Sequence, residues 1–540
     1  MLVVLLGAMS VGGGGFYLVK QGPGGVGACP PSVLRIVATP DIAPLVRTAA
    51  KATTKRRCPS ITVAAQEPAT TVRDIRAHPP EVWIPSTTAW LRLTGTGGGY
   101  PATGTSLARS PLVVAVPRAL ARSLGWPAKQ PTWADLADGA YAGQVPRFSV
   151  ADPLKTTSGL LAVLGSQAAF GRSGADADQV RMRTLTLRSR LADANADPAK
   201  LLRKATDAAD PARQVGVFPV TEQVLWSSIK ATGSSGMVGL YPPDGLIEAD
   251  YPLVMSARME HDQARRPLVD RLVSWLRGGS GARALVDRGF RPAHGTASDA
   301  APSADGLVRR YASAVTVPPD PGTVTESATT WSRYRPLTVQ VMLLVDASAS
   351  MNDQVTDRAG RPTTKAALLR ESAQDAVRLF GKDTSAGLWQ FPSARAAGPY
   401  DEVVPFGPLA GAVGGLSRRD ALGRALAVYR ASGRSGAPLY DTILRGQAEM
   451  RRWAKPNAKT LIFVLSDGHD SGTGGRAAFL SHLTPDVPVY GLGYGLGADM
   501  TTLQEAARLT GGQAMAATRP ADLDAAVAAV FLAVHGTRAG

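Results

Sequence analysis

The chain has 540 residues, 44% hydrophobic and 19% charged, with a mean hydropathy of −0.02. That is enough apolar material for about three domains at roughly 100–200 residues each, and it excludes both wholesale disorder and a polytopic membrane protein. Two cysteines exclude a disulfide-dense scaffold, and the net charge of +16 is spread singly along the chain, its densest clusters (Lys55-Arg56-Arg57, Arg451-Arg452) being too short for an arm, so a diffuse basic surface facing an anionic envelope is expected and no nucleic-acid partner.

Leu2 to Val19 carries no charged side chain and is closed by Lys20. At close to the ~20 apolar residues that a spanning helix needs, it reads as an uncleaved single-pass anchor or a cleaved signal peptide. The anchor is the preferred reading, with the bulk of the chain outside the cytoplasm. Cys29 and Cys58 flank one strand–helix–strand unit, Leu34 to Ala38, Ile42 to Ala52 and Ile61 to Ala64. Such a unit can bring its ends within reach of a disulfide, which persists in an oxidising compartment; two separate buried thiols are the alternative.

From Cys29 to about Pro292 short apolar runs alternate with helical patterns, which implies an α/β domain. Glu81 to Ile84 reads as a strand running into the Ser86-Thr87-Thr88 loop. Pro111 to Val116 reads as a strand buried in a parallel sheet. Phe148 to Ala151, Gln214 to Phe218 and Tyr251 to Met255 read as further strands. Asp152 to Ser158 reads as a polar loop, and Leu268, Leu272, Trp275 and Leu276 form one helix face. Residues 297–336, punctuated by Ala301-Pro302-Ser303 and Val317-Pro318-Pro319, have linker chemistry, with a short helix expected over Thr323 to Tyr334.

The strings Arg35-Ile-Val-Ala-Thr-Pro40, Glu81-Val-Trp-Ile-Pro-Ser86, Ser110-Pro-Leu-Val-Val-Ala-Val116, Val150-Ala-Asp-Pro153 and Leu272 to Pro292 resemble a bacterial extracellular solute-binding protein of the two-lobed periplasmic type over residues 29–296. The resemblance implies two α/β lobes closing around a cleft by a hinge. The cleft would be lined by loops at strand ends, where helix N-termini present free N–H groups. Here those loops supply Thr39, Asp41, Ser86, Thr87, Lys155, Thr156, Thr157, Ser158 and Glu222. Hydroxyls with Lys155 at a helix start suit an anionic or small polar solute, although each residue could equally be an ordinary N-cap.

Further on, the apolar run Val339 to Val345 ends in Asp346-Ala-Ser348-Ala-Ser350, and the apolar run Lys459 to Leu465 ends in Ser466-Asp467-Gly468. If both runs are strands of a doubly wound parallel sheet, their carboxyl ends share one rim. Asp346, Ser348, Ser350 and Asp467 then converge as an oxygen set suited to a hard divalent cation; a metal-free core is the alternative. The pair of strings resembles the von Willebrand factor type A domain and its metal-ion-dependent adhesion site, over about residues 337–536. That resemblance implies a Rossmann-like fold, Mg²⁺ (or Ca²⁺ or Mn²⁺), and a protein partner whose acidic side chain completes the shell. One departure stands out: Ala437 occupies the place of the family's coordinating threonine, leaving Ser435 or water to substitute, while Thr442 sits too far into the next helix. His469 and Asp470 lie near Asp467 without a nucleophile in the sequence around them. The chain therefore reads as a binding protein with no catalytic residue, either a metal-dependent adhesion protein or a component of solute uptake or sensing.

Overall fold

The computed structural model describes residues 33–54, 61–95, 99–172, 174–233, 236–293, 305–311, 314–318, 320–334, 337–381, 383–394 and 398–535. The Leu2–Val19 segment, Cys29 and Cys58 lie outside the described residues. Among the described residues no helix is long and apolar enough to cross a membrane.

The first domain holds two sheets. One has the order β2-β1-β3-β9-β4, built from β1 (Leu34–Ala38), β2 (Ile61–Ala65), β3 (Val82–Ile84), β4 (Thr105–Ser106) and β9 (Pro252–Met255). β1 runs parallel to β2 and β3, and β9 runs antiparallel to β3. In the second sheet β5 (Ala108–Pro117) is central, with β6 (Phe218–Thr221), β7 (Met237–Leu240), β8 (Glu248–Ala249) and β10 (Arg291–Pro292) all antiparallel to it. This corrects the parallel assignment for Pro111–Val116. A continuous apolar run reports that both faces are covered, which an antiparallel strand can also satisfy; it does not report direction. Phe148 and Ser149 make only isolated bridges, and the strand expected from Gln214 begins at Phe218.

The chain crosses between the lobes three times: from β4 to β5, from β8 to β9, and before β10. Tyr251, at the second crossing, is fully buried with φ 40°, in the left-handed region that a residue with a bulky side chain rarely enters.

The helices that matter for the site are α1 (Ala43–Thr53), α2 (Pro68–Asp74), α3 (Thr88–Leu93), α4 (Thr157–Arg172), α5 (Ala177–Arg190) and α6 (Pro198–Asp207). The helix expected in the linker spans Pro321–Arg333 (α7), capped by the Asp320 carboxylate on Thr323 N. It is not free. Val324, Ala328 and Trp331 are buried in the core of the first domain, and the helix packs on α3 of one lobe and α4 of the other.

The second domain is a six-stranded sheet of β11 (Val339–Asp346), β12 (Ser385–Phe391), β13 (Asp401–Pro408), β14 (Lys459–Ser466), β15 (Val489–Tyr494) and β16 (Ala514–Ala517) in the order β13-β12-β11-β14-β15-β16. All neighbours are parallel except the edge strand β13. α8 (Lys365–Leu379) and α10 (Leu523–His535) cover one face, and α9 (Leu439–Trp453) packs on the other. α5 of the first domain docks on this unit: Met182 and Leu185 are buried against Tyr334, Leu379, Ala528 and Phe531. Burying two such side chains is worth roughly 3–6 kcal/mol against leaving them in water. Arg188 donates to the carbonyls of Trp331 and Tyr334 at 3.2 and 3.0 Å, and Arg358 pairs with Asp176 and Asp178.

Candidate functional site

The two lobes meet at a cavity of about 210 Å³ whose wall includes Thr39, Asp41, Ser86, Thr156, Thr157 and Ser158. Each sits where a strand ends or a helix begins. Thr39 and Asp41 follow β1 and Ser86 follows β3. Thr156 Oγ1 receives Gly159 N at 3.1 Å at the start of α4. The lobes touch across the cleft through hydroxyls: Ser86 Oγ hydrogen-bonds Thr157 Oγ1, and Trp90 Nε1 donates to the same oxygen at 3.0 Å.

Asp41 Oδ1 accepts Ile42 N at 2.8 Å, and Oδ2 accepts the Tyr251 hydroxyl. Burial pushes the Asp41 carboxyl above its ordinary value, with the Tyr251 hydrogen bond opposing it. Tyr251 N also donates to Ser86 O at 3.1 Å, so the strained crossing residue is tied to both walls of the cleft. Thr39 Oγ1 is buried beside Asp41 and accepts no hydrogen bond.

Three residues expected in the cleft are elsewhere. Thr87 is fully buried and caps α3, accepting Ala89 N at 3.3 Å. Lys155 is exposed, pairs with Asp152 at 3.4 Å and lines a different cavity. Glu222 faces the core: it takes Arg291 Nε and Nη2 at 2.9 and 2.7 Å and the Tyr241 hydroxyl. Burial alone would lower the Arg291 guanidinium, but Glu222 outweighs it and holds it above its usual value. This is a structural ion pair, and the partner Arg291 lies too far along the chain for spacing to have revealed it.

Sequence reasoning missed two acidic wall residues, Glu67 and Asp197. Glu67 follows β2, so the rim rule that picked Thr39 could have found it. Asp197 stands before Pro198 as the cap of α6, accepting Ala199 N and Lys200 N at 3.0 and 3.2 Å. Burial, then the neighbouring Asp41 and Asp197 charges, raise the Glu67 carboxyl.

In the second domain, β11 and β14 are adjacent and parallel, so Asp346 and Asp467 reach one rim. The four oxygen-bearing side chains form one hydrogen-bonded chain. Asp346 Oδ1 accepts Ser348 N at 2.9 Å, Ser348 Oγ and Ser350 Oγ are 2.9 Å apart, and Ser350 Oγ donates to Asp467 Oδ1 at 2.8 Å. Ser466 Oγ holds Asp346 Oδ2 at 2.8 Å. Burial raises the Asp346 carboxyl; its serine hydrogen bonds act against that, and Asp467 adds to it. Lys365, unforeseen from the sequence, puts Nζ 2.8 Å from Asp467 Oδ2 and 3.1 Å from Asp353 Oδ2. Burial would lower this ammonium, but the two carboxylates outweigh it and hold it above its ordinary value.

Ala437 is buried and offers no side-chain oxygen, Ser435 is exposed, and the Thr442 hydroxyl is spent on Pro438 O at 2.7 Å. The 432–434 backbone lies beside the Asp346–Ser350 turn, with Ser432 N donating to Ala347 O and Arg434 O accepting Ala349 N. Two carboxylates and two hydroxyls fit a hard cation in kind. Among the described residues no group of three or more His, Cys, Asp or Glu side chains is placed to hold a metal ion.

The chain is similar in fold to a periplasmic thiamin binding protein at 13% identity, over 57% of this chain and 97% of that one, with a TM-score of 0.42. It is similar to iron-bound HitA from Pseudomonas aeruginosa at 13% identity, over 56% and 99%, with a TM-score of 0.42. It is also similar to an aerotolerance-related membrane protein from Bacteroides fragilis at 18% identity, over 36% and 98%, with a TM-score of 0.28. No curated protein matches. Residues 34–291 match the family of bacterial extracellular solute-binding proteins, and the first domain is accordingly a solute-binding-protein-like domain.

Proposed function

We propose that the chain is an extracytoplasmic solute-binding component, for uptake or sensing, that binds without turnover. The observation that carries this reading is the convergence of hydroxyls and carboxylates from both lobes on one cavity, with Ser86 and Thr157 bonded across it. A solute bridging the walls would favour the closed arrangement of the lobes, because only there do both sets of groups reach it. The test is a thermal-shift screen of the full chain against amines, sugars, amino acids and inorganic ions. At least one class should raise Tm, and Thr157→Ala should remove the shift. A flat response across all classes overturns the reading.

A second reading concerns the second domain. The Asp346–Ser348–Ser350–Asp467 chain of hydrogen bonds supports a von Willebrand factor A-like site for Mg²⁺, with an acidic side chain of a protein partner as a further ligand. Bound there, the ion would supply a hard Lewis-acidic contact. Asp346 and Asp467 would carry the charge, and Ser348 and Ser350 would orient them. Without a threonine at 437, and with the Lys365 ammonium already on Asp467, the expected affinity is low. Calorimetry with Mg²⁺ and Mn²⁺ tests it; no heat with either, in correctly folded protein, removes this reading. In the cell, Leu2–Val19 would serve as the anchor and the domains would stand outside the membrane.

A further inference from the structure

The charge of the cleft runs opposite to the charge of the molecule. The chain carries 59 Lys and Arg against 43 Asp and Glu. Yet among the described residues the ionisable side chains that line the interlobe cavity are Asp41, Glu67 and Asp197, with no lysine, arginine or histidine.

These carboxylates are poorly neutralised. Asp41 is met by uncharged donors, Ile42 N and the Tyr251 hydroxyl among them, and burial raises its carboxyl, so a cation beside it would stabilise the charged form. Glu67 occupies the N-cap of α2 but its side chain makes no capping bond. Asp197 has Lys200 Nζ at 3.7 Å, in a pair whose side chains are 47% and 75% exposed, so water screens it strongly.

Helix N-termini oppose this, since each carries roughly half a positive charge and favours anions. At three of the helix starts here, donors that could grip an anion are already used. Asp197 takes the first N–H groups of α6, Thr156 takes Gly159 N in α4, and Asp41 takes Ile42 N before α1. What remains of these half-charges is set against the Asp197 and Glu67 carboxylates and the buried Asp41, whose ionised form a cation beside it would favour. Thr39 adds to this: its Oγ1, beside Asp41 on the same wall, is buried and receives no donor. A buried hydroxyl oxygen that accepts no hydrogen bond offers a position that an incoming N–H would fill.

We infer that the solute is a small organic cation, an amine or ammonium compound, held with its positive end among Asp41, Glu67 and Asp197 and able to donate a hydrogen bond to Thr39 Oγ1. This rests on the cleft being the solute site. A bare metal ion fits less well, because among the described residues no three acidic groups are close enough to share one. The cavity, at about 210 Å³, lies below the roughly 300–1,000 Å³ of pockets for drug-sized ligands, which restricts the cation to a few carbon atoms.

The test is titration calorimetry of the full chain with choline and putrescine as cations, phosphate and succinate as anions, and glucose as a neutral probe. A cation should bind, and Glu67→Gln and Asp197→Asn should each weaken it by about 10- to 100-fold, the range of a lost charge-assisted hydrogen bond. Both residues are exposed, so neither substitution threatens the fold. Cation binding unchanged by both substitutions overturns the inference. Binding of phosphate, succinate or glucose in its place, lost in Thr157→Ala, overturns the charge class and leaves the solute-binding reading standing. No binding by any of the five overturns both.

Discussion

His535 closes α10 and stacks between Tyr334 and Phe531, with ring centroids 5.0 and 4.1 Å away. Its ring is 4% exposed, its Nδ1 contacts Phe531 O at 3.0 Å, and Lys459 adds repulsion. Burial is the main cause of a pKa lowered from 6.5 to about 4. Between those values the unfolded chain takes up a proton that the folded chain refuses. Stability therefore falls as pH drops through that window and is unaffected well above it. At pH 5 the linkage amounts to about 2 kcal/mol, approaching about 3 kcal/mol below pH 4. His535→Phe keeps a stacked ring and removes the proton site. Urea unfolding of both proteins at pH 7 and pH 5, followed by tryptophan fluorescence, isolates the effect from all other titrating groups. The wild type should lose about 2 kcal/mol more than the variant over that interval. Equal losses in the two proteins would refute the assignment of a buried, neutral imidazole at this joint.

Glu222→Leu strands the fully buried Arg291 and should cost about 3–5 kcal/mol in chemical denaturation; since Glu222 does not line the cleft, refolded variant should bind solute as the wild type does. Trp331→Ala removes a side chain that is 2% exposed beneath α7 and should lower stability by about 3–5 kcal/mol, measured by urea titration. Lys365→Met leaves Asp467 without its ammonium, so Tm in EDTA should fall and Mg²⁺ should restore part of it; a Tm indifferent to Mg²⁺ in both proteins argues against a cation at that rim. Arg358→Ala should change stability by no more than about 1 kcal/mol, because its pairs with Asp176 and Asp178 are partly solvated.

Much of the architecture can be read from strand ends. The apolar runs at Val339 and Lys459 become neighbouring parallel strands, and their terminal residues Asp346, Ser348, Ser350 and Asp467 fall into one hydrogen-bonded group. Thr39, Asp41, Ser86 and Thr156–Ser158 follow the same rule in the first domain. The rule fails where position along a loop does not fix direction. Lys155 and Glu222 stand one or two residues from wall residues, yet one points to solvent and the other into the core. It is also silent about partners contributed from far away in sequence. Lys365 lies 102 residues from Asp467, and nothing local marks it as the cation that would reach that carboxylate. The segment rich in proline and glycine after residue 296 illustrates a third limit. Composition predicts a spacer there, but Val324, Ala328 and Trp331 recur at helical spacing, and tertiary burial of that face outweighs the linker chemistry around it.

That helix has a mechanical consequence. α7 rests on α3 of one lobe and α4 of the other, is fastened by Ser327 to Gln167 and by Ser332 to Asp152, and ends where Tyr334 stacks on α10. It therefore works like a splint laid over a joint. Any widening of the solute cleft must either slide α3 beneath it or lift it, and lifting it pulls directly on the neighbouring domain. Together with the Met182 and Leu185 contacts of α5, these thirteen residues are where a change in the spacing of the lobes would load the second domain.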